Sequence, residues 1–547
     1  MRRTASLLLI LCFSLFAQPE EPPRVGVGDT KTELSLAQTI EMALANNLQI
    51  EIERTNIQSA AESAAGARGY LDPQFRIAPR VETRNIPTSS ALIGADGKLE
   101  QDVVMFEGSW DQRLPWWGAN IRVALENSRE TTSNPFDALS PFNSGTLGAT
   151  LNLPLNRHRE IDGFRANLRV ANKQVDLSET QFETRVIAVI AGVEESYWNL
   201  VAARQNVLVT SEAVELAREQ LARTQRMIDS GTLAPVELAA AEAELERRID
   251  TWYSSIGLVT QVENAFKTLV TKGATDLLWD DRIIPSEERT LEPPAFANVR
   301  EAVEAALERR TELHQVDLQT ETNEIQKELA RNQTKTGVSF IGGVSLAGLS
   351  GTVADTQNPF SDTLGQQFVR VNELSGIHGL PPLEFEELGG VPTALVGSYW
   401  TMWESLFRAK FPTAFAGVQI DFTGRNRAAK AELERAAIAE RRLKLQRAQL
   451  EQTITAEVRN ALQAIQTARQ RITAAEASAR AAQEKLDSEI RLFRTGESTN
   501  FLVLTRQNEL ADSRQRAVVA RLDFNKAVAK AQQALGTTLT TYNIELR

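Results

Sequence analysis

The chain has 547 residues, a net charge of −11 and only 6% aromatic residues. An acidic balance without a basic, aromatic-interleaved patch excludes nucleic acid as the main partner. Ala, Glu, Arg, Gln and Leu dominate two long stretches, which is the composition of long helices rather than of a thick globular core.

The N-terminus carries Arg2-Arg3, an apolar run from Leu7 to Phe16, and Ala17-Gln18. A charged region, an apolar region and a small residue for cleavage read as a secretory signal peptide over residues 1–17. Cys12 is the only cysteine and lies inside the apolar run. The mature chain is therefore expected to have no cysteine and no lipid anchor. No later segment offers about twenty uninterrupted apolar residues, so no transmembrane helix is expected. Residues 18–33 are a Pro/Glu/Gly linker.

Ser35, with Gln38 three residues on, predicts a capping box. A helical pattern follows over 36–68, with Ile40, Leu44, Leu48 and Ile52 on one face. Gly69 to Pro73 ends it. The period then changes to two. Phe75, Ile77 and Val81 alternate with polar residues, and the alternation recurs at Ile121-Val123-Leu125 and Leu147-Ala149-Leu151-Leu153. It returns at Val338-Phe340-Val344-Leu346 and Ala416-Val418-Ile420-Phe422, with a weaker case at Val104-Phe106-Trp110-Leu114. The pattern fits a soluble sheet with one wet face or a membrane barrel, apolar outward and polar inward. Trp110, Trp116, Trp117, Tyr399, Trp400 and Trp403 lie near the strand ends, where membrane interfaces collect aromatics. In an exported chain this favours the barrel.

Helical patterns cover 157–230 and 235–272, with Pro235 in a first turn, where its missing N–H costs little. A connector spans 273–296. Helical patterns return at 297–332, 424–495 and 500–535, and 537–547 form a C-terminal tail. Between 355 and 412 lies an insertion rich in Gly, Pro and Phe; its end, Leu395–Phe411, reads equally as a short amphipathic helix or a strand. A shift of 265 positions lays Val193–Leu245 on Val458–Leu510 without a gap: Arg226 falls on Arg491, Gly231 on Gly496, Glu244-Leu245 on Glu509-Leu510. One helical hairpin was duplicated, which divides the chain into repeats at 34–272 and 297–536. In each repeat the two shorter helices together match the long one, roughly 110 Å at 1.5 Å per residue. Half-length helices laid end to end beside a full-length one would give a rod of constant length.

The ordered set of motifs resembles the TolC-like outer-membrane efflux and export channel family. The resemblance is carried by Leu34-Ser35-Leu36-Ala37-Gln38-Thr39-Ile40-Glu41-Met42-Ala43-Leu44-Ala45-Asn46-Asn47, by Leu151-Asn152-Leu153-Pro154-Leu155 entering a long helix, and by its counterpart Ile420-Asp421-Phe422-Thr423-Gly424-Arg425-Asn426-Arg427. The hairpins 231–238 and 496–504 complete it. The resemblance implies a mixed α and transmembrane β fold: a trimeric outer-membrane β-barrel continued by a long periplasmic α-helical barrel. It implies a passive exit duct of a tripartite efflux pump or type I secretion system. The implied partners are two further copies of the chain, a periplasmic adaptor, an inner-membrane transporter and outer-membrane lipid. Family members contribute four strands per chain; the six candidates here leave eighteen strands, or hairpins outside the barrel, open.

No catalytic constellation is present: His158, His314 and His378 are scattered and lack metal-ligand spacing. Neither an enzymatic activity, a metal nor a cofactor is expected. The resemblance instead points to the hairpin ends. It implies adaptor contact by Gly231, Thr232, Leu233, Gly496, Glu497 and Ser498, and a constriction in the helix turn that follows. Two aspartates of some members correspond here to Leu502 and Thr505, so an apolar constriction closing by packing or dewetting is expected. Glu237 matches a carboxylate of a closing network, and Phe493 stands where its tyrosine partner sits. Arg491 or Arg494 is the expected substitute partner for Glu237. The competing reading is a periplasmic coiled-coil adaptor or rod without a pore.

Overall fold

The computed structural model describes residues 24–546 except 29, 91, 92, 94–96, 287–290, 297, 355–358 and 384–390. The predicted signal peptide, with Cys12, lies outside the described residues. In chain order the elements are β1 (Lys31–Leu34), α1 (Leu36–Asn46), α2 (Leu48–Arg68), β2 (Gln74–Pro87), β3 (Lys98–Arg113), β4 (Asn120–Thr132), β5 (Leu139–Pro154), α3 (Gly163–Asp229) and α4 (Val236–Val270). Then come β6 (Arg282–Pro285), α5 (Val299–Arg309), α6 (Thr311–Gln333), β7 (Gly337–Val353), α7 (Pro359–Ile377), α8 (Tyr399–Phe407), β8 (Phe411–Asp421), α9 (Arg427–Thr495), α10 (Asn500–Ala534) and α11 (Thr538–Thr541). Contacts divide the chain into two units: 1–60, 175–319 and 442–547 form one, 61–174 and 320–441 the other.

The first unit is helical. Its largest core joins α1, α3 and α4 around Val193, Tyr197, Trp198, Phe266 and Ile283. A second core joins α5, α9 and α10 around Ala306, Ile454, Val458 and Val528. The stretch of α3 apolar enough to cross a membrane is mostly buried, its Val186, Val189, Ile190 and Val193 belonging to the larger core. The predicted capping box is present: the Ser35 hydroxyl accepts from Gln38 N, and Gln38 Oε1 accepts from Ser35 N at 3.0 Å.

The structure corrects three expectations here. The predicted helix 36–68 breaks at Asn47, and 297–332 breaks at Arg310, both with extended backbone. Neither break carries Gly or Pro; each is held by contacts distant in sequence. Asn47 caps α2 through Oδ1, which accepts from Gln49 N, while its Nδ2 donates to Leu269 O at the end of α4; Asn46 donates to Val270 O. Arg310 donates to Ala534 O at the end of α10. Linker and connector are also not loose: β1 from the linker pairs in parallel with β6 from the connector. The C-terminal tail folds back. Gly536, at φ +66°, ends α10, and Leu539, Tyr542 and Ile544 pack against the larger core.

The second unit contains an antiparallel sheet of six strands in the order β2-β3-β4-β5-β7-β8. All six strand candidates are in it. The register turns the alternation of each strand into rows across the sheet. Phe75, Trp110, Val123, Ala149, Val344 and Ala414 form one row, and Ile77, Gly108, Leu125, Leu147, Leu346 and Pro412 another. Between them, facing the opposite way, runs Arg76, Ser109, Ala124, Gly148, Ser345 and Thr413. One face is thus apolar and the other is polar or small. The undecided segment 395–411 proves to be mainly helix, α8, followed by the start of β8.

Candidate functional site: the helical hairpin ends

Both hairpins turn through the same backbone device. Gly231 N donates to Ile228 O and Thr232 N to Met227 O; Gly496 N donates to Phe493 O and Glu497 N to Leu492 O. These paired bonds make a Schellman motif in each, with glycines at φ +72° and +80° supplying the left-handed residue. The helices that follow start differently. α10 is capped by Thr499, whose side chain accepts from Leu502 N; α4 follows Pro235, which offers no side-chain cap.

The residues proposed for adaptor contact are mostly exposed: Gly231, Thr232, Gly496 and Glu497 fully, Leu233 and Ser498 partly. The Thr232 hydroxyl donates to Met227 O at 2.8 Å, and the Ser498 hydroxyl donates to Glu489. Exposed apolar residues flank each turn, Val236 at 73% and Phe501 at 73%. A rigid turn beside an exposed apolar side chain is suited to docking a partner.

The structure redistributes the expected constriction residues. Phe493 is 1% exposed and packs with Leu486, Val503 and Leu510. It anchors a buried cluster that Leu216 and Met227 of α3 also join. Among the described residues Glu237 pairs with neither Arg491 nor Arg494. Its Oε2 instead accepts from Asn500 Nδ2 at 3.2 Å, and Asn500 Oδ1 accepts from Gln220 Nε2 at 2.7 Å. Gln220 and Asn500 are each 1% exposed. The two hairpins are therefore joined by a chain of three polar groups from α3, α10 and α4, of which Gln220 and Asn500 are buried and Glu237 is half-buried. In a poorly hydrated setting such bonds are strong, and an orphaned member is costly. Sequence reasoning missed Gln220 and Asn500. The available signal was a polar residue on an otherwise apolar helix face.

Arg491 and Arg494 are exposed. Burial pulls the Arg223 guanidinium below its usual pKa, and the charge of Arg494 adds to this. Arg223 and Arg494 thus stand close enough to repel, with Glu219 partly offsetting them. Leu502 is half-exposed, and the Thr505 hydroxyl is spent on Phe501 O. Neither offers a carboxylate to a cation.

Residues 39–251 match the family model described as outer membrane efflux protein. Over that stretch the chain is similar to the outer membrane efflux protein family. Sequence comparison with curated proteins finds no match. Among solved structures, CusC, whose crystal structures concern transmembrane channel formation, shares 15% identity over 92% of this chain and 92% of its own, with a TM-score of 0.62. The CmeC outer membrane channel of Campylobacter jejuni shares 15% identity over 92% of this chain and 86% of its own, with a TM-score of 0.61. The open state of the MtrE outer membrane channel of Neisseria gonorrhoeae shares 16% over 92% and 89%, with a TM-score of 0.55. At these identities the structures establish a common fold. The family that matches residues 39–251 is described as one of the outer membrane. The family is one of conduits, and a rod without a pore is not favoured.

Proposed function

We propose that three copies of this chain form the outer-membrane exit duct of a pump, opened at the hairpin ends by a periplasmic adaptor and an inner-membrane transporter. The observation that carries the reading is the six-stranded sheet, with one apolar face and two unpaired edges, β2 and β8. An unpaired edge in hydrocarbon leaves backbone N–H and C=O groups without partners, at several kcal/mol each. Single-chain barrels begin at about eight strands, so six strands do not close alone. β2 and β8 run in opposite directions, so β8 of one copy can pair antiparallel with β2 of the next. Three copies would then pool eighteen strands, with the polar face lining the lumen.

The duct needs no chemistry of its own. Its periplasmic end would be held shut by Gln220–Asn500–Glu237, and adaptor contact at Gly231–Leu233 and Gly496–Ser498 would release it. The test is conductance of the purified trimer in planar bilayers. Glu237→Ala is expected to raise single-channel conductance, because Asn500 then loses its acceptor. Unchanged conductance with the trimer intact removes Glu237 from the gate. Absence of any pore or of heat-sensitive trimers removes the duct reading itself.

A further inference from the structure

The helix α8 is docked flat on the apolar face of the sheet, across β5 and β7. Gly145 and Gly348 are direct partners in the register, and they belong to the row after Ile77–Pro412. They form a notch that α8 fills. A Cβ on Gly145 would lie 2.4 Å from Met402 Sδ, and one on Gly348 2.4 Å from Met402 O and 2.9 Å from Ser405 Oγ. Met402, Ser405 and Leu406 are buried. The start of the helix is pinned as well: Ser350 Oγ donates to Ser398 O at 2.9 Å, Gly397 N to Gly351 O at 3.0 Å, and Tyr399 OH to Asn127 Oδ1 at 3.1 Å.

The outward side of this fixed helix carries an aromatic row beside an exposed Glu404–Arg408 ion pair, 3.0 Å apart. Tyr399, Trp403 and Phe407 stand four residues apart in one row, with ring centroids 6.2 and 5.7 Å apart. Trp400 is 74% exposed and Phe407 70%. A soluble surface gains nothing from holding such a ridge in water. Height supplies the occupant. The apolar rows run from Val338 to Leu346, and the α8 notch follows at Gly348. Ten residues of strand cover about 34 Å, or about 25 Å along the normal at the usual barrel tilt of about 40°, which is the height of a barrel's apolar band. The notch therefore sits where that band ends, on the side away from the strand ends that meet the long helices.

We infer that α8 is an interfacial collar: it lies at the outer boundary of the hydrocarbon and inserts Trp400, Trp403 and Phe407 among the lipids of the outer leaflet. This rests on the reading of the sheet as a membrane wall. The apolar side of an amphipathic helix ordinarily binds such a boundary directly. Here the helix spends that side on the glycine notch, and the aromatic ridge on its back takes over the membrane contact, as barrel girdles do.

The test uses the full-length chain, with Cys12 replaced by serine and single cysteines at Val344, Trp400 or Phe407. Each trimer is nitroxide-labelled and reconstituted in phosphatidylethanolamine–phosphatidylglycerol vesicles. Collision of the label with oxygen and with a water-soluble nickel chelate is then measured. Val344 lies mid-wall, two rows closer to the helical end than Gly348. Labels at 400 and 407 are expected to collide more with oxygen than with nickel, at a shallower depth than 344. Nickel-dominated collision at 400 and 407 with a lipid-buried 344 overturns the collar and leaves the duct standing. Immobile or spin-coupled spectra at 400 and 407 assign the ridge to a neighbouring copy and also overturn it. A label at 344 exposed to nickel instead refutes the membrane wall.

Discussion

The two repeats agree in their helices and differ in what lies between them. α1, α2 and α4, of 11, 21 and 35 residues, together equal α3 at 67; α5, α6 and α10, of 11, 23 and 35, together equal α9 at 69. In the first repeat four strands separate the short helices from the long one; in the second, two strands do so, with α7 and α8 between them. Within each hairpin the helices pack along shared cores, so a missing turn would bare a packed face. Strands and loops at an open sheet end can be added without disturbing that match. The duplicated hairpins diverged more quietly. Phe493 corresponds to Ile228 under the shift of 265, Asn500 to Pro235, and the exposed Arg459 to the buried Glu194.

Each of these differences can be broken. The largest effect is expected at the internal anchor of the second hairpin. Phe493→Ala should cost about 3–5 kcal/mol of local stability. Amides around Leu486 and Leu510, and around Leu216 and Met227, which pack on the same cluster, should then exchange hydrogen faster, while those around Tyr197 and Phe266 keep their protection. Equal loosening around Tyr197 and Phe266 would show that the two clusters act as one core.

Next is Glu194, wholly buried in the first repeat with Tyr542 as its donor. Burial raises its pKa to about 7, against a smaller lowering by the Tyr542 hydrogen bond. The folded chain therefore holds a proton that the unfolded chain gives up near pH 4.5. Stability is fully present below that pH and is lost as pH rises through about 7, a change of about 3 kcal/mol at 1.36 kcal/mol per pH unit. Thermal midpoints should fall between pH 5 and 8 in the parent chain and stay level in Glu194→Gln. A parallel fall in both would place the titrating group elsewhere.

The smallest effect concerns the starts of α4 and α10. Thr499→Ala removes the only side-chain cap of the pair and should cost about 1 kcal/mol. Faster proteolytic nicking at 496–502 than at 231–237 is the expected readout. Because Pro235 caps nothing through its side chain, no substitution there has the same consequence.

Much of this molecule was legible in its residues. The period-two runs located all six strands, since one-sided burial writes itself directly into alternation. Gly231 and Gly496 marked both turns because a left-handed residue after a helix favours glycine. The breaks at Asn47 and Arg310 were not legible. Both residues tolerate helix, and the contacts that hold them extended come from Leu269 and Ala534, more than two hundred positions away. The same holds for β1 with β6. Glu237 was singled out with Arg491 or Arg494 as its partner, whereas it accepts from Asn500. Charge suggested Arg491 and Arg494; packing delivered Asn500 and Gln220.

What the residues determined alone was local and periodic: which segments are helix or strand, where they turn, and that a hairpin occurs twice. Tertiary structure decided which polar side chains are buried together, where α8 docks, and which strands meet. Periodicity records how a segment divides between core and solvent, whereas partner choice depends on loop closure and shape fit over long separations, and no single segment contains that information.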